Sequence, residues 1–252
     1  MRLSKAYSTF RMSIVAGVLL VAGFSSPALA RDVFLLGGST FSSTSKYHYL
    51  GLVVPIQQES LDRDGFLLRF WTAYRDFDYT TRFPGGLGGI RTNIDVDGSE
   101  FEAAVGYQRY FGKDTRITGY LGLVHRNLDE KPNDPATNFE NKNGGVKFQL
   151  EGTTRSGNFG VAAIGSYVSG FKDHWIRVRP AYYLGDSLHI GPELVASGGR
   201  KYTKQQVGLF VEGIRLGSDA SLGLKLGSER NSRSGPNHGS KGYGGISFGV
   251  RF

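Results

Sequence analysis

Residues 221–227 read Ser-Leu-Gly-Leu-Lys-Leu-Gly, an alternation that constrains the fold more than any other feature of the chain. Leu222, Leu224 and Leu226 fall on one face of an extended strand, with Gly223, Lys225 and Gly227 on the other. Successive side chains of a strand point to opposite sides, so a period of two marks a strand with one apolar face. The pattern recurs: Val146, Phe148 and Leu150 oppose Lys147, Gln149 and Glu151. Ile176, Val178, Pro180, Tyr182 and Leu184 oppose Trp175, Arg177, Arg179, Ala181 and Tyr183, and at the C-terminus Ile246, Phe248, Val250 and Phe252 oppose Ser247, Gly249 and Arg251. No sustained apolar repeat at helical spacing follows Ala30. Continued along the chain, the pattern predicts an all-β protein with strands over 32–42, 46–56, 64–79, 96–112, 115–128, 143–155, 158–171, 173–185, 188–200, 204–216, 219–230 and 241–252. The first, second and seventh of these alternate weakly, and their phase stays open.

The connections fall into two classes. Short, turn-like ones read Gly112-Lys113-Asp114, Arg155-Ser156-Gly157-Asn158, Gly185-Asp186-Ser187 and Gly217-Ser218-Asp219. Long polar stretches rich in Gly, Pro, Asn and Asp span roughly 80–95, 129–142 and 229–240. Short connections take even places in the chain order and long ones odd places. A transmembrane barrel has that parity, with short periplasmic turns, longer outer loops and both termini on the periplasmic side.

The N-terminus agrees with that destination. Arg2, Lys5 and Arg11 precede an apolar run from Met12 to Phe24, and Ala28-Leu29-Ala30 offers small residues at a cleavage point. This is the make-up of a secretory signal peptide over residues 1–30, leaving 31–252 as one barrel domain. The run is shorter than the roughly 20 apolar residues that a membrane-spanning helix needs. With no cysteine in the chain, lipidation of the leader and structural disulfides are both excluded. The net charge of +8 includes the three leader cations, and the rest are spread along the chain. An exported barrel with such a balance is expected to meet outer-membrane lipid and not nucleic acid.

Which face is inside decides between a soluble barrel and a membrane one. The strands approach the 9–11 residues that a tilted strand needs to cross a bilayer. The polar phase mixes Gly with Lys, Arg and Glu, as a crowded aqueous lumen would. Aromatics cluster near strand ends: Phe66, Tyr110, Phe111, Phe159, Tyr182, Tyr183 and Phe252 at the periplasmic side, and Tyr47, Tyr49, Tyr79, Tyr167, Tyr202 and Tyr243 at the outer rim. The expected architecture is a transmembrane antiparallel β-barrel of about twelve strands, in the outer membrane, closed by pairing of the last strand with the first because lipid offers an open edge no hydrogen bonds.

On this phase Arg69, Glu102, Lys147, Glu151, Arg177, Arg179, Glu193, Glu212, Lys225 and Arg251 enter the lumen. Both signs are present, so ion pairs that brace a narrow barrel account for them most simply. Arg69 with Trp71, and Trp175 with Arg177 and Arg179, set aromatic faces beside guanidinium groups. With Lys225 they form a candidate substrate-binding set for glycan, since sugar rings stack on aromatics while their hydroxyls take hydrogen bonds. Packing within the lumen is the alternative role for each.

Enzyme motifs are sparse. Asn237-His238-Gly239-Ser240 is the nearest approach to a Ser–His pair, in a polar stretch just after Pro236. The other histidines, at 48, 125, 174 and 189, share no spacing suited to a metal site. Asp62 with Asp64, and Asp95 with Asp97, read as turn formers. No catalytic residue, metal or cofactor is expected.

A resemblance then emerges from Asp64-Gly65-Phe66-Leu67-Leu68-Arg69-Phe70-Trp71, Gly191-Pro192-Glu193, Lys204-Gln205-Gln206-Val207-Gly208-Leu209-Phe210, Gly213-Ile214-Arg215-Leu216-Gly217 and Gly242-Tyr243-Gly244-Gly245-Ile246-Ser247-Phe248 through Phe252. Together these resemble the bacterial cellulose biosynthesis protein BcsS family over most of the chain. The resemblance implies an exported protein associated with cellulose synthesis and supplies no catalytic residues. The leading expectation is a non-enzymatic barrel that supports cellulose export or forms a narrow glycan pore. Its expected partners are cellulose or cello-oligosaccharide and the cellulose secretion apparatus. A general small-solute porin and, further off, an outer-membrane hydrolase are the alternatives.

Overall fold

The computed structural model describes residues 32–58, 60–83, 90–132, 144–199, 203–231 and 240–252. These form twelve strands: β1 (Phe34–Ser42), β2 (Ser45–Pro55), β3 (Gly65–Phe83), β4 (Ile90–Phe111), β5 (Thr115–Lys131), β6 (Gly144–Ser156), β7 (Phe159–Val168), β8 (Asp173–Tyr183), β9 (His189–Gly198), β10 (Thr203–Arg215), β11 (Ala220–Asn231) and β12 (Lys241–Arg251). Each strand pairs antiparallel with its sequence neighbours, and β12 pairs with β1 to close the barrel. The seam runs from Phe34 opposite Arg251 to Ser42 opposite Tyr243. Beyond it, Val33 and Phe252 exchange backbone bonds at 3.2 and 3.0 Å. Closure leaves no strand edge without partners, as the bilayer demands.

The predicted phase holds on every strand that the sequence resolved. Leu123, Phe159 and Leu226 are 69%, 68% and 66% exposed on the outside, whereas Arg69, Glu102 and Glu193 are buried in the lumen. This is an inside-out distribution for a soluble protein, and it is what lipid on one side and a polar interior on the other require. The weakly patterned strands are settled by register. Thr40 lies opposite Tyr47, which lies opposite Arg75, so Phe34, Leu36, Gly38 and Thr40 of β1 and Tyr47, Tyr49, Gly51 and Val53 of β2 share the lumenal face. On β7, Ala162, Ile164 and Ser166 face inward, opposite Arg179, Arg177 and Trp175.

Two expectations need correction. The stretch 80–95 is in large part strand, because β3 runs to Phe83 and β4 starts at Ile90. In this extension the polarity inverts. Ile94, Val96 and Leu128 are buried with Phe77 against them, while Asp76, Asp78, Asp95, Asp97 and Asp129 take the opposite, outer face. A sheet that has left the lipid is solvated outside and gains by burying apolar groups inside, so the aspartates that suggested a loop are outward strand residues. The second correction concerns the outer aromatic rim. Tyr47, Tyr49 and Tyr243 point into the lumen, although Tyr167 faces out and is 42% exposed. At the other end Phe66, Phe111, Phe159, Tyr182 and Phe252 face outward as expected, but Tyr110 and Tyr183 turn inward. The side chain of Tyr79, the whole of Tyr202 and the leader 1–30 lie outside the described residues.

The described part of the connection between β2 and β3, residues 56–58 and 60–64, differs from the other turns at its end of the barrel. It folds into the mouth and places Leu61 among Leu67, Ala104 and Tyr120, with Phe34 and Val53 packed against them. The Gln108 amide donates to the carbonyls of Leu61 and Arg63 at 2.7 and 2.5 Å. Tyr110 donates its hydroxyl to Leu61 at 3.0 Å, and Arg251 binds Asp32 and Asp62. Asp64 accepts from the Tyr110 backbone at 2.6 Å, so Asp62 and Asp64 anchor this segment.

Candidate functional site

The lumen holds two charged walls of different character. On the β3–β6 wall Arg69 donates to Glu102 through Nε at 3.0 Å and to Glu151 at 3.2 Å. Lys147 closes on the second Glu102 oxygen at 2.6 Å. Arg69 also reaches Gln149 at 3.2 Å and lies over the Tyr120 ring at 4.0 Å. Higher on the same side, Arg75 and Arg126 share Glu100, and Arg126 reaches Asp173 of β8, each at 2.7 Å. Every charge in these two groups has an opposite charge in contact. Paired burial of this kind lets ionised groups persist in a narrow interior.

The β8–β11 wall is built differently. Arg179 binds Glu193 through Nε at 2.6 Å and also binds Glu212. Tyr243 donates to the other Glu193 oxygen at 3.1 Å, and the Lys225 ammonium lies 3.9 Å from it. His189 sits 3.7 Å from the second Glu212 oxygen, with Nδ1 donating to the Ser187 carbonyl at 2.7 Å. All four carboxylate oxygens are therefore turned toward groups other than Arg177. Among the described residues no hydrogen bond or ion pair closes on Arg177, whose guanidinium stands 5.4 Å over the Trp175 ring. A register shift between Val211 and Ile214 helps to set this wall. Gly213 there has φ 78°, and a Cβ on it would meet the Ser187 carbonyl at 1.9 Å, so only glycine fits the bulge that follows Glu212.

Arg177, Arg179, Glu212 and Lys225 line a small recess of about 20 Å³, together with Thr40, Tyr49 and Ser247. Tyr49 belongs to β2, which stands across the ring of strands from β8. Side chains from opposite walls thus border one small space, and the lumen is narrow at this level. Lys204 of β10 bonding to Ser45 of β2 at 3.2 Å is a second contact that skips intervening strands.

The six sequence candidates divide accordingly. Arg177, Arg179 and Lys225 come together in the recess, with Trp175 beneath Arg177. Arg69 does not join them, being enclosed by its own ion pairs. Trp71 is stacked on Tyr49 with ring centres 4.7 Å apart and planes 7° apart, and its indole N–H donates to Tyr47 at 3.3 Å. It lies over Gly51, where a Cβ would sit 2.5 Å from the indole. Sequence reasoning missed Tyr49 and Thr40, since β1 and β2 showed no clear phase, and set Tyr243 on the wrong face. The alternation of Ser247 with Ile246 and Phe248 did mark that hydroxyl as lumenal. His238 lies outside the described residues, and Ser240 bonds to Ser228. Among the described residues, no group of His, Asp or Glu is placed to hold a metal ion.

Comparison with solved structures places this fold among outer-membrane barrels. The COG4313 outer membrane channel from Pseudomonas putida F1 matches with a TM-score of 0.60 at 13% identity, covering 88% of this chain and 96% of that one. A KdgM porin matches with a TM-score of 0.52 at 12% identity, covering 87% and 99% respectively. At such identities the likeness is one of fold. No curated protein matches the chain in sequence. The family model for cellulose biosynthesis protein BcsS matches residues 34–252, nearly all of the barrel, and the chain belongs to that family.

Proposed function

We propose that this protein is a non-enzymatic outer-membrane barrel serving cellulose synthesis, whose constricted lumen contacts saccharide instead of passing bulk solute. The observation that carries this reading is the recess shared by Tyr49 of β2 and Arg177 of β8, from opposite sides of the ring. A bulk-solute channel leaves an aqueous gap between its walls; eight strands leave almost none, sixteen to eighteen leave a wide one, and twelve lie between. Here the walls meet, and the groups at the meeting point are hydroxyls, guanidinium groups and an aromatic ring, the chemistry that binds sugars. Segment 56–64 narrows the mouth at the end where Val33 pairs with Phe252, which favours a support or gated role over a permanently open duct. The leader and the alternating lipid face support export to the outer membrane.

The test is single-channel conductance of the refolded chain in a planar bilayer, with and without cello-oligosaccharides, beside deletion of the gene in its host. A small conductance that the sugars block, with loss of extracellular cellulose on deletion, is the expected result. Large ohmic conductance indifferent to sugar, with cellulose unchanged, would overturn the reading. A general small-solute porin is the second reading, favoured by the excess of cations on the β8–β11 wall. Anion selectivity that survives in an Arg177→Ala, Arg179→Ala double variant would remove those residues from it.

A further inference from the structure

We infer that the lumenal recess around Arg177 is a subsite for a carboxylate group, so that it binds an acidic saccharide more tightly than the corresponding neutral one. This rests on the reading of the constriction as a saccharide contact, and it adds the chemical class of the ligand.

The charge pattern of the wall argues for it. Two guanidinium groups and one ammonium face two carboxylates, Glu193 and Glu212. Arg179 takes one oxygen of each, Tyr243 and Lys225 share the second oxygen of Glu193, and His189 faces the second oxygen of Glu212. Among the described residues no carboxylate oxygen closes on Arg177, which feels Glu212 and Glu193 only at longer range. Its side chain is half-buried in the recess, so water replaces a partner only in part, and a cation held this way is costly unless an anion arrives. Glu100 and Asp173 with Arg75 and Arg126, and Glu102 and Glu151 with Arg69 and Lys147, show that the same barrel balances its charges elsewhere. The imbalance is therefore local to the wall that borders the open recess.

The surroundings suit a carboxylate carried on a sugar. A planar guanidinium matches a carboxylate with two parallel N–H bonds. Thr40, Ser247 and Tyr49 supply hydroxyls around the same recess, and the indole of Trp175 backs the guanidinium and holds it toward the lumen. Free carboxylate and sugar-borne carboxylate share this chemistry, and the experiment separates them.

The refolded chain in lipid nanodiscs is titrated calorimetrically with cellobiose, with cellobionate (the same disaccharide oxidised to an acid at its reducing end) and with acetate. Cellobionate is expected to bind about tenfold more tightly than cellobiose, as a charge-assisted pair would give. That preference is expected to vanish in Arg177→Gln and to persist in part in Arg177→Lys. Because Arg177 holds no other side chain in place, the Gln variant is expected to fold, which its heat-dependent gel migration verifies. Arg177-dependent acetate binding as tight as that of cellobionate upholds the carboxylate subsite, assigns it to free anions and removes the saccharide reading. Equal binding of cellobiose and cellobionate overturns the subsite and leaves the saccharide reading standing. A preference unchanged in Arg177→Gln also overturns it.

Discussion

The two lumenal walls differ in what their charges are for. On the β3–β6 side Glu102 lies between Arg69 and Lys147 and is wholly buried, and the carboxylate and cations close on each other. The same half carries the apolar cluster of Leu61, Leu67, Ala104 and Tyr120, so polar and apolar packing there both brace the barrel. On the β8–β11 side the pairing stops one anion short, and the residues left over border the recess. A wall that satisfies itself gains rigidity and has nothing to offer a ligand. A wall that leaves a cation unpaired gives up stability for the ability to bind. On the reading proposed above, the degree of pairing distinguishes scaffold from site within one barrel.

That contrast can be broken by mutation, beginning with its strongest arm. Glu102→Ala strands Lys147 in the lumen and leaves Arg69 with Glu151 alone, and removing one member of a buried ion network costs about 3–5 kcal/mol. Urea unfolding in micelles should show this loss, and a cost near zero would mean that the balanced wall is not structural. Gln108→Ala removes two hydrogen bonds to the 56–64 segment, at about 1–3 kcal/mol of local stability. Trypsin should then cut after Arg63 several-fold faster while the global unfolding midpoint barely moves, since the segment opens without the barrel. Arg177→Met is the sharpest comparison with Glu102, because it should leave stability unchanged or raise it by about 1 kcal/mol. Destabilisation comparable to that of Glu102→Ala would show that Arg177 has a structural partner.

The smallest effect concerns the pair at the chain ends. The hydrogen bond from Arg251 holds Asp32, before β1, well below its ordinary 3.8, at about 2. A depressed carboxylate pKa contributes stability that is present above 3.8 and is lost as pH falls through about 2. Both side chains are partly exposed, so solvent screening keeps the contribution small. An Asp32→Asn variant should lose the small part of the acid sensitivity that falls in that window and match the parent below it. Identical acid unfolding curves for the two would mean that the contact at the seam contributes nothing.

Strand number and the phase of the well-patterned strands were legible because each rests on neighbours in sequence, and closure because lipid offers an open edge no partner. Leu222, Leu224 and Leu226 declare their face by spacing alone, and the turn at Gly112-Lys113-Asp114 places β4 beside β5 without further information. The phase of β1 was not legible, since Phe34 and Leu36 are apolar yet face the lumen, where Phe34 packs on the cluster around Leu61. Asp95 and Asp97 misled for a related reason: above the lipid the rule for which face is polar reverses, and nothing in the local pattern says where the lipid stops.

What the sequence determined by itself is the period of two, the face each well-patterned side chain takes and part of the set of charges that enter the lumen, Arg75, Glu100 and Arg126 having been left out of it. Which of those charges meet is a tertiary matter. The curvature of a closed twelve-strand ring brings Tyr49 of β2 toward Arg177 of β8, and lets Arg69 reach past its neighbouring strands to Glu151. Hydrogen bonding along the sheet couples only adjacent strands, whereas contacts across the lumen depend on the diameter and shear of the whole ring. No local window of sequence contains that distance, so the pairing of Arg69 and the lack, among the described residues, of a contacting partner for Arg177 became visible only once the barrel had closed.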